Sequence, residues 1–183
     1  MKLRQASLTL AACLLLAGGV PAQPVRVNLS KTFPVLQVGS SLWLGTPAGL
    51  YQYNSSDDSY KRFPIPGRTI NPEIRQLFYY KEWLWCVLDT GLAALQVRLN
   101  DWIVFDSTNG LPSNTITGVD FQDDYVWAST PNGIARFDLL IEQWERYGTE
   151  RGLTSLRVLD TRTLGADLWI MTDDELSTKV GGE

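Results

Sequence analysis

The stretch Tyr125-Val126-Trp127-Ala128-Ser129-Thr130-Pro131-Asn132-Gly133-Ile134-Ala135-Arg136-Phe137-Asp138 decides the fold. Two runs with strand composition flank Pro131-Asn132-Gly133, and Asn-Gly between such runs is a hairpin signal. The pattern then recurs. Trp43, Trp85, Trp127 and Trp169 stand 42 residues apart. Leu42, Leu84, Val126 and Leu168 precede them, and Thr46, Leu88, Thr130 and Thr172 follow three positions later. Gly49, Gly91 and Gly133 come six positions after the first three tryptophans, and Glu175 breaks that column. Tyr60, Trp102 and Trp144 match further on, as do Phe63, Phe105 and Tyr147, and upstream Ile74, Ile116 and Val158. A fixed period of this length marks a repeat architecture.

Each unit divides into four strand-like runs, in the clearest unit 116–121, 125–130, 134–139 and 143–147, with turns at Asp123-Asp124 and at Pro131-Asn132-Gly133. Successive strand residues point to opposite faces, so Leu42 and Leu44 share one face and Trp43 lies on the other. Both faces are apolar, which requires cover on both sides. Four antiparallel strands per unit, stacked as small sheets around an axis, make a β-propeller. The expected fold is therefore all-β, a partial or small propeller of about four blades over 31–66, 74–108, 116–150 and an incomplete 158–183. In this frame the Trp column packs between blades. Gly49, Gly91 and Gly133 serve hairpins that need a positive φ. Cys86 falls on an inward strand position and reads as a buried packing thiol.

Residues 1–22 stand apart. Lys2 and Arg4 precede an apolar run over 7–19, and Val20-Pro21-Ala22 offers small residues before a cut at Gln23. This pattern is that of a secretory signal peptide, which leaves a domain over 23–183 in the periplasm or outside the cell. Leu10-Ala11-Ala12-Cys13 also fits a lipoprotein box, with a lipid on Cys13. Leu14 to Leu16 extend the apolar run past that cysteine and favour the cleaved leader.

Composition excludes several function classes. The chain has 183 residues, no His and two Cys, so no His-based catalytic triad, imidazole metal site or thiolate cluster can be assembled. No metal and no cofactor are expected. The formal charge is −4, and loss of Lys2 and Arg4 with the leader leaves 14 basic residues against 20 acidic ones, or −6. An acidic chain without a basic stripe repels phosphate backbones, so nucleic acid is not an expected partner.

Leu42-Trp43-Leu44-Gly45-Thr46, Gly49-Leu50-Tyr51, Gly110-Leu111-Pro112-Ser113-Asn114 and Gly133-Ile134-Ala135-Arg136-Phe137-Asp138 resemble the two-component regulator propeller repeat over residues 31–180. The Gly-Thr pair is complete only at Gly45-Thr46, and the first unit lacks a Gly-Leu-Pro loop. The resemblance implies an exported, non-catalytic ligand-binding sensor module of a two-component-type signalling system. It further implies a carbohydrate or other small ligand and a membrane-bound histidine kinase as partner. A propeller that docks an envelope protein is the alternative. A propeller glycosidase is disfavoured, because Asp57-Asp58, Asp120, Asp123, Asp124 and Asp173-Asp174 read as turn residues.

Function in such scaffolds concentrates on loops at one end of the axis. Arg68, Asn71, Asn114, Asn132, Arg151 and Arg157 are the candidate ligand-binding residues there, since planar polar groups suit sugar hydroxyls and carboxylates. After the leader 161 residues remain, a little under four repeats of 42. The count favours a larger propeller with missing C-terminal blades, or a homo-oligomer, over a four-bladed ring closed by an outer strand at 25–29.

Overall fold

The computed structural model describes residues 33–67, 72–174 and 176–178. The leader, Cys13, residues 25–29, Arg68, Asn71 and Glu175 lie outside the described residues. Four antiparallel sheets follow one another along the chain as the blades of a propeller. The first comprises β1 (Val35–Val38), β2 (Ser41–Thr46), β3 (Gly49–Asn54) and β4 (Ser59–Phe63); the second β5 (Ile74–Tyr80), β6 (Trp83–Leu88), β7 (Gly91–Gln96) and β8 (Asp101–Phe105). The third comprises β9 (Gly118–Gln122), β10 (Tyr125–Thr130), β11 (Gly133–Asp138) and β12 (Gln143–Tyr147). A 3-10 turn, Thr149–Arg151, leads to the fourth: β13 (Val158–Leu164), β14 (Asp167–Thr172) and β15 (Leu176–Thr178). Within each sheet the strands lie in chain order. The fourth sheet shows three strands among the described residues.

The repeat extends to backbone dihedrals. The turn after each first strand puts Gly39, Lys81, Asp123 and Gly165 at φ of 59°, 46°, 50° and 64°. Asp58, Asn100 and Glu142, equivalent positions in the turn after each third strand, all stand at 54°. This left-handed region costs most residues energy, so its recurrence shows that turn geometry overrides residue preference. The hairpins between second and third strands start at Gly49, Gly91 and Gly133, with φ of 108°, 128° and 111°. Space as well as φ demands glycine there: a Cβ on Gly133 would come within 2.7 Å of the Tyr147 carbonyl oxygen. In these turns Thr46 and Thr130 hydroxyls donate to the Gly49 and Gly133 carbonyls at 2.9 and 2.8 Å.

Three apolar clusters join consecutive sheets. Trp43, Leu50 and Phe63 of the first pack on Leu84, Cys86, Ala93 and Leu95 of the second. Trp85, Val87, Leu92 and Phe105 pack on Val126, Ala128 and Phe137 of the third. Trp127, Ile134 and Tyr147 pack on Leu168 and Ile170 of the fourth. Strands β6 and β7 are therefore buried on both faces, which explains an unbroken apolar run where a half-exposed strand would alternate. Each fully buried Leu or Phe in such a cluster contributes about 1.5–3 kcal/mol. Cys86 is wholly buried, and burial pushes its thiol pKa up, so it packs as a small apolar group.

Strand bounds in the third sheet differ at two places from the sequence pattern. The first strand begins at Gly118, since residues 116 and 117 still belong to the incoming loop, where the Thr117 amide donates to the Ser129 carbonyl at 2.9 Å. The third begins at Gly133 and ends at Asp138, whose carboxylate turns back to accept the Leu140 amide at 2.8 Å.

Candidate functional site

Strands of antiparallel sheets reverse direction at every turn, so the hairpins after second strands and the connections between sheets share one end of the propeller. There the Gly133 amide donates to the Leu156 carbonyl at 2.7 Å, and the Asp173 amide to Arg157 at 3.2 Å. The predicted loop residues on this end are dispersed. Asn114 accepts the Ser107 amide at 2.7 Å and staples its own loop. Asn132 is exposed in the hairpin, where its backbone amide donates to the Thr130 hydroxyl at 3.1 Å. Arg157 reaches Asp173 at 4.0 Å. Arg151 pairs with Glu145 and lies over the Tyr147 ring, 5.0 Å from its centroid.

Arg151 belongs to a cluster on the third sheet. Glu145 also takes Arg136 at 2.7 Å and the Tyr147 hydroxyl at 2.7 Å, while Arg136 stacks 4.2 Å from the Tyr125 ring centroid. The Arg151 and Tyr147 hydrogen bonds hold the Glu145 carboxyl below the usual carboxylate range. Burial, followed by the hydrogen bond to Glu145, pushes the Tyr147 phenol up to about 12. Every charge here has a partner, so the cluster cements the sheet and leaves little free for a ligand.

A second polar cluster lies among the first strands of consecutive sheets. A cleft of about 420 Å³ opens between the innermost strands β5, β9 and β13, lined by Gln76, Phe78, Thr117, Asp120, Asp160 and Arg162 among others. Asp120 is the correction to the sequence reading: it stands in β9, paired with Trp127 of β10, and not in a turn. Its Oδ1 accepts the Phe121 amide at 2.8 Å, and its Oδ2 accepts the Thr163 amide of β13. Asp160 Oδ1 accepts the Thr161 amide at 2.9 Å and Arg162 Nη1 at 2.9 Å. Arg162 also donates to the Thr161 carbonyl at 2.8 Å and keeps a side chain 67% exposed. Below the cleft floor the buried Ser129 and Thr161 hydroxyls meet at 2.9 Å, and Thr117 donates to the Val158 carbonyl at 2.9 Å.

The cleft thus presents carboxylate acceptors, an exposed guanidinium and the Gln76 amide beside the Phe78 ring, a set that matches hydroxyl and amide groups. Sequence reasoning missed Gln76, Asp160 and Arg162. A signal was available in the register: Leu36, Phe78, Asp120 and Arg162 share one column, and Pro34, Gln76, Gly118 and Asp160 another. Both columns turn polar along the chain. No group of three or more residues suited to a metal ion occurs among the described residues.

No protein-family model matches the sequence. No curated protein matches it either. Solved structures do match. The extracellular domain of the hybrid two component system protein BT3049 from B. thetaiotaomicron superposes with a TM-score of 0.63 at 17% identity, covering 80% of this chain and 23% of that one. The extracellular domain of the one component system protein BT4673 from the same organism gives 0.59 at 23% identity, covering 80% and 20%. The computationally designed Ika4 protein gives 0.60 at 12% identity, covering 84% and 93%. The chain therefore spans less than a quarter of the length of the two natural domains.

Proposed function

We propose that this chain is an exported, non-catalytic propeller module that binds a small polar ligand on its axis and serves a two-component-type sensor. The observation that carries the reading is the cleft between β5, β9 and β13, where charged and amide side chains converge beside an interior that is mostly apolar. Its chemistry suits a carbohydrate, with carboxylates accepting from hydroxyls and Arg162 donating. Two of the fold neighbours are extracellular domains of hybrid two-component and one-component systems, which supports an exported sensor role. In this reading a membrane-bound histidine kinase is the downstream partner.

The way Asp120 is held supports the non-catalytic part of this reading. Both oxygens of Asp120 accept backbone amides, which fixes the group as an acceptor and a brace between sheets. Calorimetric titration with neutral and acidic oligosaccharides tests the proposal. Saturable binding, weakened at least tenfold by Asp160→Asn and Arg162→Ala, is the expected result. Absence of binding across the panel overturns the ligand reading, and aryl glycoside turnover lost in Asp120→Asn overturns the non-catalytic one.

One observation favours the second reading, a propeller that docks an envelope protein. Leu99, Leu140 and Ile141 stand 76%, 75% and 62% exposed in the turns after third strands, at the end opposite the inter-sheet loops. Pull-down of a defined envelope protein, lost in Leu140→Ser/Ile141→Ser, would support that reading.

A further inference from the structure

Every interior interface joins the same two kinds of face. The side of a sheet that bears Trp43, Trp85 or Trp127 meets the opposite side of the next sheet, bearing Leu84 and Cys86, Val126 and Ala128, or Leu168 and Ile170. Among the described residues the first and fourth sheets present one outer face of each kind. In the first sheet Leu42, Leu44, Tyr51 and Tyr53 hold the register positions of Leu84, Cys86, Ala93 and Leu95. Those four are 0% exposed, whereas all four of the first sheet are only partly buried. Val35, paired with Leu44, is 58% exposed. In the fourth sheet Trp169 is partly exposed where Trp43, Trp85 and Trp127 are at 1%, 0% and 3%, and Met171 is 44% exposed. Neither end face enters any of the three clusters.

We propose that these ends are the two halves of one interface, and that they meet across two copies of this chain. The Trp169 face of each copy seats on the Leu42 and Leu44 face of the other. The contact continues an interface that the chain already builds three times, column for column, so it needs no new complementarity. Two copies that each carry one end of each kind close on a two-fold axis, with both contacts formed at once. The second contact is then intramolecular and adds avidity. The four described sheets of each copy then stand in one ring of eight, within the propeller range of roughly four to eight. This assembly does not depend on the ligand reading of the axial cleft.

Light scattering of the purified chain should give twice the chain mass. Leu44→Asp and Met171→Asp should each give a monomer, with circular dichroism unchanged; Val35→Asp replaces Leu44→Asp if that variant loses its fold. Mixing the two variants should restore a dimer, because one retains an intact fourth sheet and the other an intact first. A wild-type monomer at micromolar concentration overturns the proposal. So does a dimer that survives either single variant, since like faces would then be paired, and so does an unbounded series of oligomers.

Discussion

The Asp160 carboxylate of β13 occupies the space that a side chain on Gly118 of β9 would need. A Cβ at Gly118 would overlap Asp160 Oδ1 and stand 3.2 Å from the Ser129 hydroxyl. The backbone there does not demand glycine by φ, so the constraint is purely steric. Gly118→Ala is expected to cost about 1–3 kcal/mol through overpacking and to shift Asp160 within the cleft. Urea unfolding measures the first effect, and an unchanged midpoint would mean that Asp160 does not lie over β9.

Trp127 and Trp169 share a repeat position and differ in cover. Trp127 is 3% exposed against the fourth sheet, whereas Trp169 is only partly buried. Trp127→Ala is expected to cost about 3–5 kcal/mol by leaving a cavity, and Trp169→Ala well under half of that in the monomer. Equal losses from the two variants in denaturant melts would contradict the difference in burial.

Ser129 and Thr161 satisfy one another across the boundary between the third and fourth sheets. Ser129 retains only a 3.4 Å contact to the Gly118 carbonyl once Thr161 is removed. Thr161→Val should therefore cost about 1–3 kcal/mol, the penalty for an orphaned buried hydroxyl. The double variant Ser129→Ala/Thr161→Val should recover part of it. Strict additivity in this cycle would show that the two hydroxyls are not coupled.

The Glu145 and Tyr147 pair predicts opposite pH limbs. Tyr147 has a phenol raised to about 12, so its contribution is complete below the unfolded value near 10 and is lost as pH rises toward 12. Glu145 is shifted down, so its contribution is complete above the unfolded value of about 4.3 and is lost as pH falls through the lowered folded value. Stability of Tyr147→Phe should fall less steeply above pH 10, and that of Glu145→Gln less steeply in acid. Parallel curves for variant and wild type on either limb would contradict that assignment.

The blade plan was legible because packing and turns repeat with the residues that build them. Trp43 to Trp169 fix strand registers, and Gly49, Gly91 and Gly133 fix hairpins, all by local rules. The axial site was not legible in the same way. Asp120 stands three positions before the Asp123-Asp124 turn, inside the strand-like run 116–121, and its column in the other units holds Leu36, Phe78 and Arg162, so no local rule marks it as facing a cleft. Asp160 and Arg162 acquire meaning only when β13 comes to lie beside β9. The loop candidates Asn114, Asn132, Arg151 and Arg157 have side chains suited to a ligand, yet Asn114 and Arg151 are engaged by their own surroundings. Chemical type alone does not tell a stapling residue from a free one.

The unlike faces of each sheet give the array a direction, much as a row of plugs and sockets has one. A whole 42-residue unit inserted or removed anywhere in such a row leaves every junction chemically as it was, and leaves both termini of the row unchanged. A shift of a single residue within a strand would turn all its side chains to the wrong neighbours. The row therefore tolerates a change of length only in whole units, because any fraction of a unit breaks a junction.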